Sequence, residues 1–208
     1  MKRKIEPELM VDFNQVRAFQ QSNKNYYLPI LLDLYQKFGG ISQGRVVDLG
    51  CGTGDFDILL SEQFSELTIT GYDGSDAMID IAQTNSNSKI NFKCRTFNLI
   101  NDSADLVIST NTLHHIHNPQ VFWSAIKSIS SNVFVVDLVR PESEKQAKEI
   151  VEYFSSTEDE YYKEDFYNSL LASFTVKEIQ DQIKNSNLKL DIVGDPTLAQ
   201  LAIIYSGT

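Results

Sequence analysis

At 208 residues and 42% apolar content, the chain is long enough to bury one sizeable core. A formal net charge of −10 disfavours a nucleic-acid partner, which needs a basic stripe against its phosphates. No run approaches the ~18 apolar residues of a membrane span, and two cysteines are too few for a disulfide framework. The basic cluster Met1-Lys2-Arg3-Lys4 reads as a solvated tail. It leads into Glu6-Pro7-Glu8 rather than an apolar stretch, so no secretory signal is expected. The setting is read as cytoplasmic, with Cys51 and Cys94 as reduced, buried thiols. Phe13 to Phe19, with Tyr26 and Tyr27, has helical spacing and precedes the first strand.

The run Arg45 to Phe56 reads as a buried strand, a glycine turn and a helix start. Val46, Val47 and Leu49 make a β-branched apolar segment suited to a central parallel strand. Gly50, Gly52 and Gly54 follow on alternate positions, where backbone without Cβ lets a ligand approach. Thr53 is placed to cap the next helix. Asp48, just before the turn, suits a ligand with a positive group. A dinucleotide site needs its third glycine where Asp55 stands, and a P-loop needs the absent Gly-Lys-Ser/Thr. This counts against a nicotinamide-dependent dehydrogenase. The segment 48–54 resembles the first motif of the class I S-adenosylmethionine-dependent methyltransferases, an acidic residue followed by G-x-G-x-G.

The next strand, Leu67 to Asp73, ends in a carboxylate one helix and one strand beyond the turn. In a βαβ unit that carboxylate meets the glycine turn, where it can accept both ribose hydroxyl protons of an adenosine. Ser75 caps the following helix. The string Gly71-Tyr72-Asp73-x-Ser75-x-x-Met78 looks like the family's second motif, in which the methionine packs near adenine. Taken singly, Asp73 also reads as a solvated turn residue and Met78 as core filler. The resemblance implies S-adenosylmethionine as methyl donor, S-adenosylhomocysteine as product, and donor contacts from Asp48, Gly50, Cys51, Gly52, Gly54, Asp73, Gly74 and Met78.

Further strands are read at Ile90–Cys94, Ala104–Ser109, Asn132–Leu138, Leu188–Val193 and Leu201–Tyr205. Helices are expected over about 55–65, 75–86, 118–130 and 175–186, with Pro119 at a helix start. This alternation predicts a doubly wound α/β fold. The resemblance, which covers residues 44–139 well, implies a Rossmann-like domain with a seven-stranded, mainly parallel sheet, an antiparallel last strand and a helical lid. The organisation is read as one domain: a helical cap segment over 1–43, the donor-binding core over 44–140, a helical insert or lid over 141–173, and a core helix with a closing strand pair over 174–208.

After the third strand most relatives carry an acidic residue that meets the adenine amino group. This chain has Arg95-Thr96-Phe97-Asn98 instead, so Thr96 or Asn98 is left to bond adenine and Phe97 to stack on it. All three histidines follow the fourth strand, in Ser109-Thr110-Asn111-Thr112-Leu113-His114-His115-Ile116-His117. The segment begins at a strand's carboxyl end, where ligands bind in such sheets. It looks like the Leu-His-His motif of small-molecule members, and Ser109, Thr110 and Leu113 are placed on the methyl donor's side. His115 or His114 is the candidate general base; the plain alternative is a cap and a core residue. No metal is expected, because adjacent helical residues face different ways and no nearby Cys, Asp or Glu spacing completes a site.

The insert 141–173 is charged and aromatic, and with the N-terminal segment it is the expected lid; Phe19, Tyr26, Tyr27, Arg140 and Tyr167 are placed at the acceptor. The aromatics also read as packing of a helical pair. Arg140, held extended before Pro141, either orients an acidic acceptor or pairs with Glu142 or Glu144. The reading is a methyltransferase acting by in-line attack of an O, N or S atom of a small molecule, with no nucleic-acid or membrane partner and an open oligomeric state. The alternatives are a non-catalytic protein that binds the methyl donor, and a methyltransferase of RNA or protein.

Overall fold

The computed structural model describes residues 1–9, 16, 24–195 and 201–206. Seven strands form one sheet: β1 Gln43–Leu49, β2 Glu66–Asp73, β3 Ile90–Cys94, β4 Leu106–Thr110, β5 Val133–Leu138, β6 Asp191–Asp195 and β7 Leu201–Tyr205. Their order is β3-β2-β1-β4-β5-β7-β6. Pairs from β3 through β5 are parallel, while β7 is antiparallel to both its neighbours. The winding reverses between β1 and β4, which opens a crevice at their carboxyl ends.

The described helices are α1 Lys24–Lys37, α2 Asp55–Gln63, α3 Asp76–Asn85, α4 Pro119–Ile129, α5 Glu144–Ser155, α6 Glu160–Ala172 and α7 Val176–Asn185. Strand side chains alternate between two layers, as the pleat requires. Val46, Phe134, Val136 and Ile203 pack in one apolar cluster with Tyr35 of α1, Leu60 of α2, Ile79 of α3 and Leu170 of α6. Val47, Val133, Val135 and Ile204 pack in the other, with Trp123 and Ile126 of α4 and Ile179 of α7. β5 is buried along its whole length, which is why Val133-Phe134-Val135-Val136 shows no polar alternation.

Helix starts follow local chemistry. Ser75 accepts the Met78 N–H, Asn118 accepts the Gln120 N–H with Pro119 in the first turn, and Thr175 closes a capping box with Glu178. Three sequence expectations change. Gly54, not Thr53, is the N-cap of α2; its φ of 76° is left-handed and no side chain caps that end. β6 starts at Asp191 rather than Leu188, because the Leu188 N–H still bonds Ile183 and finishes the end of α7. Cys94 is exposed and Cys51 half-buried; Cys94 ends β3, the edge strand, which leaves its thiol open.

The insert forms the expected helical pair, α5 and α6, burying Ala147, Ile150, Leu170 and Leu171. Arg140 lies beneath it, and its partner is neither Glu142 nor Glu144. The backbone leaving β5 bridges to Phe174, and the Arg140 guanidinium donates to the Ser173 carbonyl at 3.0 Å and to Glu178 at 2.8 Å. Glu178 also accepts the Thr175 N–H at 2.8 Å, so one carboxylate fastens β5 to the start of α7. At 8% exposure, Arg140 is part of the interior rather than an anchor for an acidic acceptor. Arg140→Leu is therefore expected to lower the urea-unfolding free energy by about 1–3 kcal/mol, since a buried carbonyl and a carboxylate lose a charged donor. An unchanged unfolding midpoint would overturn the clamp role.

Candidate active site

The turn after β1 is built against β2. The N–H groups of Gly50 and Cys51 both donate to the Tyr72 carbonyl, at 2.7 and 3.0 Å. The Gly52 N–H donates to Asp73 Oδ2 at 3.0 Å, and the Ser75 N–H to Asp73 Oδ1 at 2.8 Å. Asp73 thus takes backbone N–H groups on both oxygens, with that of Gly74 as a third, and keeps acceptor capacity to offer. Its pKa lies above the ordinary value because burial outweighs these bonds. Gly52 has φ 54°, and a Cβ added there would meet nothing within 4 Å among the described residues. Gly54 packs the other way: a Cβ there would fall 2.3 Å from the Phe92 ring.

Beneath the turn lie two carboxyl groups with no cation paired to them among the described residues. Asp48 and Asp57 are 2% and 0% exposed and adjacent to each other. Asp48 Oδ1 and both oxygens of Asp57 have no hydrogen-bond donor among the described residues. Burial pushes Asp48 up to about 7, and burial together with the charge of Asp48 raises Asp57 well above its ordinary value. Burial and these same acids raise the Cys51 thiol as well. Asp57 escapes a reading of the sequence because it is one acid among several at a helix start; only the turn brings it to Asp48.

Other predicted donor-binding residues divide into two groups. Met78 is buried on α3, and Leu9 lies over Gly74, where an added Cβ would approach Leu9 at 2.7 Å. Thr96 and Asn98 bond each other at 2.8 Å, and Phe97 meets Phe122 edge to face. Ser109 and Leu113 are fully buried and serve inside: the Ser109 hydroxyl donates to the Leu49 carbonyl at 2.6 Å, tying β4 to β1. Thr112, which the sequence reading passed over, donates to the carbonyls of both Gly50 and Thr110 at 3.1 Å. Of the lid residues, the Tyr27 hydroxyl donates to Asn111 Oδ1 at 2.8 Å, and Tyr167 bonds Glu144. Phe19 and the Tyr26 side chain lie outside the described residues.

The histidines occupy a single turn after β4. Asp137, at the end of β5, accepts the Leu113 N–H at 2.7 Å through Oδ2 and faces His114 Nδ1 at 2.8 Å through Oδ1. The buried His114 ring keeps a pKa above its ordinary value. Burial opposes its charge, but the charge and hydrogen bond of Asp137 outweigh it. His115 is pushed down to about 3 by burial and by the neighbouring His114, so it is neutral near pH 7. His117 is exposed and bonds the Glu6 carbonyl at 2.7 Å.

The N-terminus is not a solvated tail. The Arg3 guanidinium stands 3.9 Å from the Phe174 ring centre and donates to the His114 carbonyl at 2.6 Å, while Lys4 pairs with Glu144 at 2.6 Å. This strap carries Glu6 to the histidines, 3.3 Å from His115 Nδ1 and 3.7 Å from His114 Nε2. No sequence signal links Glu6 to a segment more than a hundred residues away.

A methyltransferase-domain family model matches residues 20–191. Malonyl-[acyl-carrier protein] O-methyltransferase of Bacillus cereus is 33% identical over 113 residues, which is 53% of this chain and 41% of that protein. An uncharacterized methyltransferase of Staphylococcus carnosus is 24% identical over 179 residues, covering 83% of both chains. This chain spans about two fifths of the length of the malonyl-[acyl-carrier protein] O-methyltransferases it matches. Among solved structures, the plantazolicin methyltransferase BpumL, in complex with a pentazolic desmethylPZN analog and SAH, superposes with a TM-score of 0.69 at 16% identity, over 94% of this chain and 90% of that one. A SAM-dependent methyltransferase from Aquifex aeolicus gives 0.67 at 13% identity, over 94% and 98%.

The Asp48–Asp57 pair sets a pH dependence. Both folded pKa values are raised, so the pair's contribution to stability is fully present below the ordinary carboxyl value of 3.8 and is lost as pH rises through about 7. Asp57→Asn replaces one charge by a donor to Asp48. It is expected to exceed the wild type in stability by about 1–3 kcal/mol at pH 8, with the gap closing towards pH 4. Urea unfolding of both proteins across that range is the measurement, and a gap independent of pH would refute the assignment.

Proposed function

The chain belongs to the class I S-adenosylmethionine-dependent methyltransferase family, and on that premise we propose that it transfers a methyl group to an O, N or S atom of a small molecule. The observation that carries this reading is the turn itself: Gly52, with nothing near its missing Cβ among the described residues, bonded to Asp73, and a buried Asp48 oxygen with no hydrogen-bond donor among them. These residues fit the methyl donor: the orphaned carboxyl oxygens suit its ammonium group, and the free lone pairs of Asp73 suit its ribose hydroxyls. When bound, S-adenosylmethionine supplies a methyl group already activated by a positive sulfur. The protein's own work is then alignment and exclusion of water.

Residues 1–9, α1 and the insert 141–173 are the candidate cover, and Tyr27, held to Asn111, stands at the β4 edge. Proton handling at the acceptor falls to the cluster of Glu6, His114, His115 and Asp137. The net charge of −10 favours a small molecule over RNA as acceptor. The malonyl and trans-aconitate groups in the names of two relatives make acids a sensible first panel of acceptors.

Calorimetry tests the donor site: S-adenosylhomocysteine is expected to bind, and NAD is not. Asp73→Ala is expected to weaken that binding by about 2–4 kcal/mol, through loss of two charge-assisted bonds. Gly52→Val is expected to abolish it by filling the open face. Unchanged affinity in both variants would overturn the site. For the acceptor side, His115→Gln is expected to keep S-adenosylhomocysteine affinity while turnover falls by about 10²–10⁴-fold. Full activity would leave catalysis to alignment alone, and absence of turnover with any acceptor in the wild type would favour a donor-binding protein without catalysis.

A further inference from the structure

Three ligand-type atoms converge where the strap crosses the histidine turn: Glu6 Oε1, His114 Nε2 and His115 Nδ1 all lie within 4.8 Å of one another. The sequence alone disfavoured a metal here because no carboxylate near the histidines completes a set. Folding supplies one from the N-terminus.

The protonation pattern implied by the contacts is the telling feature. Asp137 is anchored by the Leu113 N–H and takes the Nδ1 proton of His114. Nε2 is then the nitrogen turned to Glu6, 3.7 Å from its oxygen, and it offers a lone pair to a metal once its proton is displaced. His115 Nδ1 faces the same oxygen at 3.3 Å. A carboxylate oxygen facing two imidazole nitrogens calls for a cation between them, either a proton or a metal ion. A carboxylate behind the far nitrogen of a histidine is also the usual support of a metal ligand, since it fixes the ring and makes it more basic. Two ligand atoms at zinc bond lengths and a tetrahedral angle are about 3.3–3.4 Å apart, close to both Glu6 separations.

We propose that Glu6, His114 and His115 form a site for a divalent transition metal, with zinc as the natural occupant of two imidazoles and one carboxylate. Three protein ligands leave a coordination position open, as in catalytic rather than structural sites. Asp165 and Ser169 of α6 border the cluster; the Ser169 hydroxyl donates to Glu6 at 3.2 Å, and Asp165 adds negative charge facing His114. The cluster lies just beyond the carboxyl end of β4, where His114 is two residues past Thr112, whose hydroxyl bonds the glycine turn. A hydroxyl group of an acceptor bound to a metal there would lose its proton more readily. The proposal does not depend on methyl transfer.

The test is zinc titration of the whole chain after treatment with a chelator, with cobalt as a spectroscopic probe. One saturable zinc per chain is expected, together with the intense visible absorption of four-coordinate cobalt and no thiolate charge-transfer band from Cys51 or Cys94. Glu6→Gln and His115→Gln are expected to weaken zinc binding at least tenfold. Cys94→Ser, altering an exposed thiol on β3 outside the set, is expected to leave it unchanged. Both weakening variants alter partly exposed side chains away from the core clusters, and a circular-dichroism melt of each without metal confirms folding. Absence of saturable binding in the wild type overturns the proposal and leaves a shared proton in the metal's place. Binding unaffected by both variants, or a cobalt spectrum with thiolate character, also overturns it. S-adenosylhomocysteine affinity, measured alongside, distinguishes failure of the metal site from failure of the methyl-donor site.

Discussion

The site depends on the way the end of β2 holds the turn that follows β1. A single carbonyl, that of Tyr72, receives two consecutive N–H groups from Gly50 and Cys51, and Asp73 receives the next, from Gly52. An ordinary strand end would leave those groups to water or to a helix cap. Here they are taken up by the neighbouring strand, and a Cβ added to Gly52 would meet none of the described residues within 4 Å. The same register that pairs Leu49 with Tyr72 therefore fixes the opening into which a ligand fits. Thr112 secures the far side by donating to the Gly50 carbonyl, so β4 closes what β2 opens.

Charge in this site is arranged by burial more than by pairing. Asp48 and Asp57 sit under the turn with orphaned oxygens, a costly arrangement in a protein without a ligand unless a proton is shared. The carboxyl at the end of β5 is treated in the opposite way. Asp137 has a partner on each oxygen, the Leu113 N–H and the His114 ring, and its charge serves orientation. One edge of the sheet thus carries acids that have no cation among the described residues, and the next carries an acid that has found a partner. The first set is suited to binding, the second to positioning.

The strap made by residues 1–9 joins these two regions. Leu9 lies over Gly74 beside the ribose-type carboxylate, while Arg3 and Glu6 reach the histidine turn. Arg3 is held by a ring face and by backbone carbonyls rather than by an opposing carboxylate, a geometry that suits a planar guanidinium. The segment is consequently fastened to the histidine turn by polar contacts.

Much of this was legible in the sequence, for reasons of local chemistry. Alternating apolar runs and turn residues announced the strands. Ser75, Asn118-Pro119 and the Thr175–Glu178 box marked helix starts, and the glycine spacing at 50, 52 and 54 separated this turn from a dinucleotide fold. These signals are readable because each lies within a few residues of what it controls. What tertiary structure alone decided is which distant groups meet. Asp57 faces Asp48 only because a left-handed Gly54 starts the helix at that angle. Arg140 finds Glu178 rather than its neighbours Glu142 and Glu144, because the chain leaves β5 beside Phe174. Glu6 reaches His114 and His115 by folding a terminus over the sheet edge. The sequence determines the elements, the turn and the acids available to it; their pairing depends on strand order and on a chain path that no local pattern encodes.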